Sequence, residues 1–254
     1  MTEVVGASAA PSVASKVAAI LSAFSFGTHH LTLAELAKRT GIPTSTAYRL
    51  ATELVARRIL ERTDGGYRIG LWLWEVGSRA PRSSTLQEVV LPYMEDLYEV
   101  TKENVHLGVL VGDEVLYVER ITGHRAVPVQ SRRAGRLPLH ATGVGKVLLA
   151  YAADGLAERL TGSALARFTP HTVVDAAKLR QELAEIRRTG VAYANEELTP
   201  GALSVAAPLL DAHNHAVAAL SIVVRSSRAD IRRLGPAVQT AARAAARELR
   251  SRSS

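Results

Sequence analysis

The chain has 254 residues, 47% of them hydrophobic, and a formal net charge of +7. Apolar sequence of that length suffices for one or two folded domains, and the basic balance permits a polyanionic partner without specifying one. The chain has no cysteine, which excludes disulfide frameworks and thiolate sites. Its first segment carries Glu3 without a basic region before an apolar one, and no later stretch approaches the roughly 18 apolar residues of a membrane span. We therefore expect a cytoplasmic protein with neither a signal peptide nor a membrane partner.

Two helices are predicted near the start of the chain. Hydrophobic residues between positions 13 and 24 recur at helical spacing, and Gly27 ends this first helix. Thr32 and Glu35 have the spacing of a capping box, which marks the beginning of a second helix, and Gly41 marks its end.

A third helix and a hairpin complete the first predicted domain. The helix begins at Pro43 and Thr44, and the hairpin over residues 59–69 turns through Asp64-Gly65-Gly66. The order helix, helix, turn, helix, two-stranded hairpin is typical of a winged helix-turn-helix DNA-binding domain, which we predict over residues 12–70. A small helical bundle with solvated polar residues is the alternative.

The predicted DNA contacts lie at the beginning of the third helix and on the hairpin. A recognition helix contacts base edges and phosphates from its N-terminal end, and a wing contacts the adjacent groove or backbone. Short hydrogen-bonding and basic side chains occur at both places. The predicted contacts are Thr44, Ser45, Thr46, Tyr48, Arg49, Arg62, Tyr67 and Arg68.

Residues 71–84 are predicted to form a linker helix, with a hinge at 79–84. Trp72 and Trp74 in this helix are interpreted as packing or dimer-contact residues. Residues 85–254 are predicted to form an effector-binding and oligomerisation domain.

The second domain is predicted to belong to the α+β class. Alternating and β-branched residues predict strands over 105–112, 114–122, 126–131, 191–197, 202–211 and 216–224. Helices are expected near 145–161, 175–189 and 228–250. This grouping favours an antiparallel sheet flanked by helices. The last helix is basic and could bind nucleic acid or a membrane, but its alanine stripe favours packing on the sheet with a solvated outer face.

The segment HATGVGKVLL at 140–149 raises the question of a phosphate-binding loop. His140 stands where the Walker pattern requires its first glycine, and Val147 rather than a hydroxyl residue follows Lys146. Gly143-Val144-Gly145 instead exposes backbone amides at a helix N-terminus, which suits an anion such as a carboxylate. A tight turn that uses glycine for its dihedral angles is an equal alternative.

No catalytic or metal-binding pattern is visible in the sequence. His213 and His215 flank Asn214 in a predicted turn and lack a metal-site motif. Glu196 and Glu197 are neighbours on a predicted strand, where side chains point to opposite faces, so they cannot act as a catalytic pair. One of them is expected to face the pocket or to cap the glycine loop. We predict no catalytic residue, no metal and no cofactor, and a metal site in the second domain is a minor alternative.

Three blocks of the chain resemble the IclR family of bacterial transcriptional regulators, and the similarity extends over about residues 12–250. The blocks are GIPTSTAYRL, RLPLHATGVGKVLLA, and NEELTPGALSVAAPLLD with ALSIVV. The resemblance implies a winged helix-turn-helix, a linker helix, and a GAF-like effector domain that binds a small carboxylate-bearing metabolite. It also implies a homodimer or a dimer of dimers.

The resemblance places an effector pocket at the glycine loop, the strand before it, and the last two long strands. The implied contacts are Ala126, Val129, Gly143, Val144, Gly145, Asn195, Ser204, Ser221 and Val223. Ser204 and Val223 stand where some relatives have a cysteine and a second serine, and Ala194 or Asn195 replaces an acidic residue. These departures favour a less polar pocket and a larger or aromatic acid.

The sequence therefore predicts a DNA-binding transcriptional regulator, a repressor, that is controlled by a small organic acid and binds a double-stranded operator as a homo-oligomer. The alternative is a small-molecule-binding or metabolic enzyme domain with a vestigial DNA-binding module.

Overall fold

The computed structural model describes residues 11–24, 30–79, 81–123, 126–131, 134–153, 155–228 and 230–253. The chain divides into two compact units, Met1–Ala80 and Pro81–Ser254. In the described part of the chain, no helix combines the length and apolar character needed to cross a bilayer.

The first unit has the predicted order of elements. Its described residues form α1 (Val13–Ser22), α2 (Leu33–Thr40), α3 (Thr44–Ala56), β1 (Leu60–Thr63), β2 (Gly66–Ile69) and α4 (Leu71–Ser78). Strands β1 and β2 pair antiparallel, which confirms the winged helix-turn-helix. The predicted end of the first helix at Gly27 lies outside the described residues.

Local sequence signals explain the helix-turn-helix. The Thr32 side chain accepts from the Glu35 amide at 3.2 Å, and the Glu35 carboxylate accepts from the Thr32 amide at 2.8 Å, so the capping box is complete. Gly41 ends α2 in the left-handed conformation, with φ of 68°, which costs glycine little. Ile42 then fills the corner as a buried residue. The turn between α2 and α3 therefore has a fixed geometry.

A compact apolar core holds the three helices and the hairpin together. Fully buried positions come from every one of these elements, as the helical and strand periodicities predict. They include Ile20, Leu31, Leu36, Leu50, Leu54, Leu60 and Tyr67.

The second unit is an α+β fold built on one antiparallel sheet. Its elements in chain order are α5 (Pro81–Thr101), β3 (Asn104–Val111), β4 (Glu114–Ile121), β5 (Arg136–Pro138), α6 (Gly143–Ala150), α7 (Leu156–Thr161), α8 (Ala176–Thr189), β6 (Ala192–Asn195), β7 (Ala202–Leu210), β8 (Ala216–Arg225) and α9 (Ile231–Ser253). The strand order is β5-β4-β3-β8-β7-β6.

Helices cover both faces of this sheet. Alternate strand residues such as Val105, Val205 and Ile222 pack with α5 and α9 on one face. Their neighbours, such as Ala206 and Ala219, pack with α6 and α8 on the other face. Because both faces are buried, β7 and β8 are apolar along most of their length.

Four expectations about element positions are wrong. Residues 126–131 form no strand, and β5 at 136–138 is instead the edge strand beside β4. The helix predicted over 145–161 is two helices, α6 and α7, separated by a break. Residues 81–84, predicted as part of a hinge, are helical and begin α5, and the last helix begins at Ile231 rather than near 228.

Candidate DNA-binding surface and ligand cavity

The outer face of α3 presents most of the predicted DNA contacts. Ala47, Leu50 and Leu54 point into the core, so helical spacing turns the other residues at the beginning of α3 outward. The N-cap residue, Pro43, makes no side-chain hydrogen bond to the first amides of α3, and such amides favour an anion such as a phosphate. Exposed on this face are Thr44, Ser45, Tyr48 and Arg49, with Thr46 half-buried beside them.

The hairpin presents two arginines, one on each face. Glu61 pairs with Arg68 and Arg62 pairs with Tyr67 across the strands, so the two arginines point to opposite sides. Arg68 forms an exposed ion pair with Glu61 at 2.7 Å. The prediction that Tyr67 contacts DNA is wrong, because its side chain is 3% exposed and lies in the core. Its backbone also bridges to Leu31, so Tyr67 anchors the wing to the helices.

A cavity of about 50 Å³ lies in the second unit, between the sheet and the beginning of α6. Three predicted effector contacts line it, namely Val129, Ser204 and Val223. Ser204 and Val223 are direct partners on β7 and β8. The other lining residues are His106, Tyr117, Gln130, Ser131, Leu137, Ala141, Thr142, Ala194, Glu197, Leu198, Thr199 and Ala202.

The polar wall of the cavity is built around His106. Its Nε2 atom lies 3.1 Å from the Ser131 hydroxyl, and its ring meets the Tyr117 ring edge-on at 5.5 Å. Burial, aided by the nearby Arg120 cation, lowers the pKa of His106 to about 3. Burial also raises the pKa of Tyr117 above its usual range. Both groups are therefore uncharged at neutral pH, and no lysine or arginine is among the described residues that line the cavity.

Lys146 is the centre of a buried ion cluster behind this wall. The side chain is 0% exposed, and its ammonium donates to Glu197 at 2.5 Å and to Glu182 at 2.6 Å. Glu197 also accepts from the Val173 amide at 3.3 Å. Burial raises the pKa of Glu197, and the Lys146 cation offsets only part of that effect. Lys146 thus links α6 to α8 and to the segment after β6. Its ammonium group is bound by two carboxylates rather than by a phosphate.

The predicted site does not include this cluster. A lysine inside the otherwise apolar stretch GVGKVLLA is the signal that could have revealed it, because a buried cation requires acidic partners. Of the two glutamates, one of which was expected to face the pocket or to cap the glycine loop, Glu197 lines the cavity and pairs with Lys146.

The two adjacent glutamates diverge for a different reason from the one predicted. Strand β6 ends at Asn195, and Glu196 has a left-handed φ of 56°. Its carboxylate accepts from the Gly201 amide at 2.9 Å and from the Ser226 hydroxyl at 2.7 Å. A turn, rather than strand alternation, separates the two side chains.

The glycine loop supports the cavity wall without lining the cavity. The Gly145 amide donates to the Thr142 hydroxyl at 3.0 Å, so it is not available to an anion. A Cβ at Gly145 would lie 2.3 Å from the Leu139 carbonyl oxygen, and one at Gly143 would lie 2.6 Å from the Ser204 hydroxyl. Val144 is a core residue. Close backbone packing therefore explains both glycines.

Three further predicted contacts lie outside the described cavity lining. Asn195 is exposed and points to the face of β6 opposite Ala194, which lines the cavity. Ala126 is half-buried in the segment before Val129. Ser221 is fully buried between its strand partners on β3 and β7.

Both units match known proteins. The IclR helix-turn-helix domain model matches residues 13–64, and the bacterial transcriptional regulator IclR C-terminal model matches residues 79–251. The chain is 37% identical over 219 residues to the HTH-type transcriptional regulator BhcR of Paracoccus denitrificans, which covers 84% of this chain and 78% of that protein. It is 30% identical over 195 residues to the transcriptional repressor IclR of Escherichia coli, covering 75% of this chain and 71% of that protein.

A solved structure agrees with the sequence matches. An IclR homologue from Microbacterium hydrocarbonoxydans, complexed with 4-hydroxybenzoate, has a TM-score of 0.88 and 34% identity, and the match covers 93% of this chain and 98% of that chain. Each domain model matches one of the two units, and this structure extends over both. The chain belongs to the IclR family of bacterial transcriptional regulators.

Proposed function

We propose that this protein is a cytoplasmic transcriptional repressor, without enzymatic activity, that binds operator DNA through α3 and the wing. The observation that carries the proposal is the exposed beginning of α3, where hydroxyls, Arg49 and backbone amides face outward from a rigid helix-turn-helix. Arg62 and Arg68 on the wing would contact phosphates. Repression is proposed because the 30%-identical relative from Escherichia coli is a repressor.

We further propose that a small organic acid, in particular an aromatic one, binds in the cavity and controls DNA affinity. The 34%-identical homologue was crystallised with 4-hydroxybenzoate. Here the Ser131, Ser204 and Thr199 hydroxyls border the cavity, and α6 begins at its wall. Hydroxyl donors and the positive end of a helix dipole can hold a carboxylate without a lysine or arginine.

Two buried polar atoms near the cavity support a polar ligand. Asn104 and Ser221 are 0% exposed, and Asn104 Oδ1 and Ser221 Oγ have no hydrogen-bond partner among the described residues. Both atoms lie on strands that line the cavity, and Ser221 is the direct partner of His106. An unsatisfied buried polar atom costs about 1–3 kcal/mol, so a ligand or water that supplies a partner is favoured.

The cavity must enlarge to admit an aromatic acid. At about 10–15 Å³ per water, its volume of about 50 Å³ holds only a few waters. The wall best suited to move is segment 126–131, which has no strand pairing and is held by side-chain bonds such as Asn104 to the Val127 carbonyl at 2.8 Å. The protein would then have two conformations, with this segment in place or displaced, and the ligand would bind the displaced one better. Allosteric coupling requires such a difference in affinity.

We propose that the functional form is a homodimer or a dimer of dimers. Helix α4 buries no residue within the chain, and four apolar side chains on it are exposed. They are Leu71 at 70%, Trp72 at 42%, Trp74 at 67% and Val76 at 44%. A second copy that covers this surface would pair two α3 helices for half-sites about one helical turn, or a multiple of it, apart.

Fluorescence anisotropy with DNA from upstream of the protein's own coding sequence tests DNA binding. Arg49→Ala should weaken binding at least about tenfold, because a base or charged phosphate contact is worth about 1–3 kcal/mol. Arg57→Ala is the matched control, since Arg57 is an exposed arginine at the far end of α3, paired with Glu53. Equal effects of the two substitutions would contradict the assignment of the α3 N-terminus to DNA.

Ligand control is tested on the same DNA complex. Saturating 4-hydroxybenzoate should lower DNA affinity by about 5- to 150-fold, the usual range of allosteric coupling. The neutral amide analogue, 4-hydroxybenzamide, should act weakly because it lacks the carboxylate. Calorimetric binding of the acid with unchanged DNA affinity would refute the proposed control while leaving DNA binding intact.

A further inference from the structure

A second concave surface in the second unit is larger than the effector cavity and shares no lining residue with it. This surface, the arginine groove, has a volume of about 400 Å³. It lies between the end of α8, the C-terminal half of α9, and the turn that joins β7 to β8. Five arginines line it, namely Arg187, Arg188, Arg243, Arg247 and Arg250, together with Tyr151, Gln239 and Asp211 among others.

The spacing of the arginines follows from the helix that carries them. Arg243, Arg247 and Arg250 are four and three residues apart on α9, so they form one stripe. Ala242 and Ala245, on the adjacent side of α9, are fully buried against the sheet. The basic C-terminal helix therefore packs on the sheet, as predicted, and in addition concentrates three of its cations along one groove.

Three of the five arginines, Arg187, Arg243 and Arg247, form no ion pair with another described residue. Arg187 donates to the carbonyl oxygen of Ala150 at 2.6 Å, which fixes the side chain but leaves its charge. Arg250 donates to the carbonyl oxygen of Leu210 at 2.7 Å. Arg188 has an exposed ion pair with Glu185.

Two further arginines and one carboxylate are the other charged groups among the described residues of the groove. Among the described residues, Arg243 and Arg247 take part in no ion pair. Asp211, the one carboxylate in the lining, accepts hydrogen bonds from the His213 and His215 amides. The groove thus keeps an excess of oriented guanidinium groups.

We propose that the arginine groove binds a small metabolite that carries two or more phosphate groups. Guanidinium groups match phosphate oxygens in pairs of parallel hydrogen bonds. The groove volume lies within the roughly 300–1,000 Å³ of small-molecule sites. A concave surface of this size suits a small molecule better than a duplex, which presents its phosphates on a convex surface. The regulator would then sense a phosphorylated metabolite independently of the acid in the effector cavity.

Isothermal titration calorimetry of the full chain with inorganic pyrophosphate and with fructose 1,6-bisphosphate, at ionic strength fixed with potassium chloride, tests this proposal. Saturable binding is expected. The double variant Arg243→Gln, Arg247→Gln should bind pyrophosphate at least about tenfold more weakly, because it loses two charge-assisted contacts to the phosphates. Both arginines are exposed, and the far-ultraviolet circular dichroism and Tm of the variant verify its fold.

The matched control is the double variant Arg159→Gln, Arg225→Gln. It removes two exposed arginines of the same unit that lie outside the groove, and its pyrophosphate affinity should not change. An equal loss in both double variants, or no saturable binding of either probe, would overturn the proposal. Weaker operator binding by the groove variant without pyrophosphate binding would also overturn it, because the arginines would then serve DNA.

Discussion

Replacement of Lys146 by methionine removes the cation of the buried cluster and keeps a side chain of similar length. Lys146 is 0% exposed and the Glu197 side chain is 6% exposed, so the substitution leaves a carboxylate inside the protein without its main counterion. Loss of one partner of a buried pair costs about 3–5 kcal/mol. Lys178→Met is the matched control, because Lys178 is exposed on α8, and a change within about 0.5 kcal/mol is expected there.

The loss should depend on pH, with a defined sign. Burial already raises the pKa of Glu197 from its ordinary value of 4.5, and Lys146 opposes this rise, so its removal raises the pKa further. A group with a raised pKa in the folded state contributes stability that is complete below its unfolded pKa and is lost as pH rises through the folded value. The deficit of Lys146→Met relative to the parent should therefore be largest at pH 8 and smaller at pH 5.

Urea unfolding followed by far-ultraviolet circular dichroism measures this deficit. Both tryptophans, Trp72 and Trp74, lie in the first unit, so their fluorescence reports on the unit that the substitution does not touch. The double variant Lys146→Met, Glu197→Gln should regain part of the stability, because the amide carries no charge. A deficit below about 1 kcal/mol at pH 8, or one that does not change with pH, would refute the reasoning.

Three further outcomes are expected. A Cβ at Gly66 would lie 2.3 Å from the Leu31 carbonyl oxygen, so Gly66→Ala should destabilise the wing by about 1–3 kcal/mol in urea unfolding and weaken operator binding. A Cβ at Gly77, in α4, meets nothing within 4 Å among the described residues, so Gly77→Ala should leave stability unchanged or raise it by up to about 1 kcal/mol. The pKa of His106 falls to about 3 on burial, so its contribution to stability is complete above pH 6.5 and declines by up to about 1.4 kcal/mol per pH unit below it. His106→Gln should remove that slope, and an unchanged slope would contradict the neutral state of His106.

The sequence pattern was sufficient to predict the order of the elements and the outward face of α3 in the DNA-binding unit. The capping box at Thr32, the left-handed turn at Gly41 and the outward side of α3 are set by interactions between residues a few positions apart. Such local interactions can be inferred from spacing. Tyr67 is the exception, because its burial depends on Leu31, which lies 36 residues earlier and bridges to it across the wing.

In the second unit, residue spacing predicted the central strands but not the edge strand β5. Its β7 and β8 pattern correctly indicated a buried antiparallel sheet, and Val129, Ser204 and Val223 do line a cavity. The strand predicted at 126–131 does not form, because β5 occupies the edge of β4.

The sequence by itself determined the two units, the limits of α2 and the outward face of α3, since each depends on periodicity or on capping within a few residues. The family was indicated by the resemblance of three motif blocks. Only the tertiary structure decided that Lys146 is neutralised by Glu182 and Glu197, 36 and 51 residues away. It also decided that arginines of α8 and α9 line one groove. Long-range juxtaposition of charge depends on how the helices pack on the sheet, and side-chain spacing along one element carries no information about it.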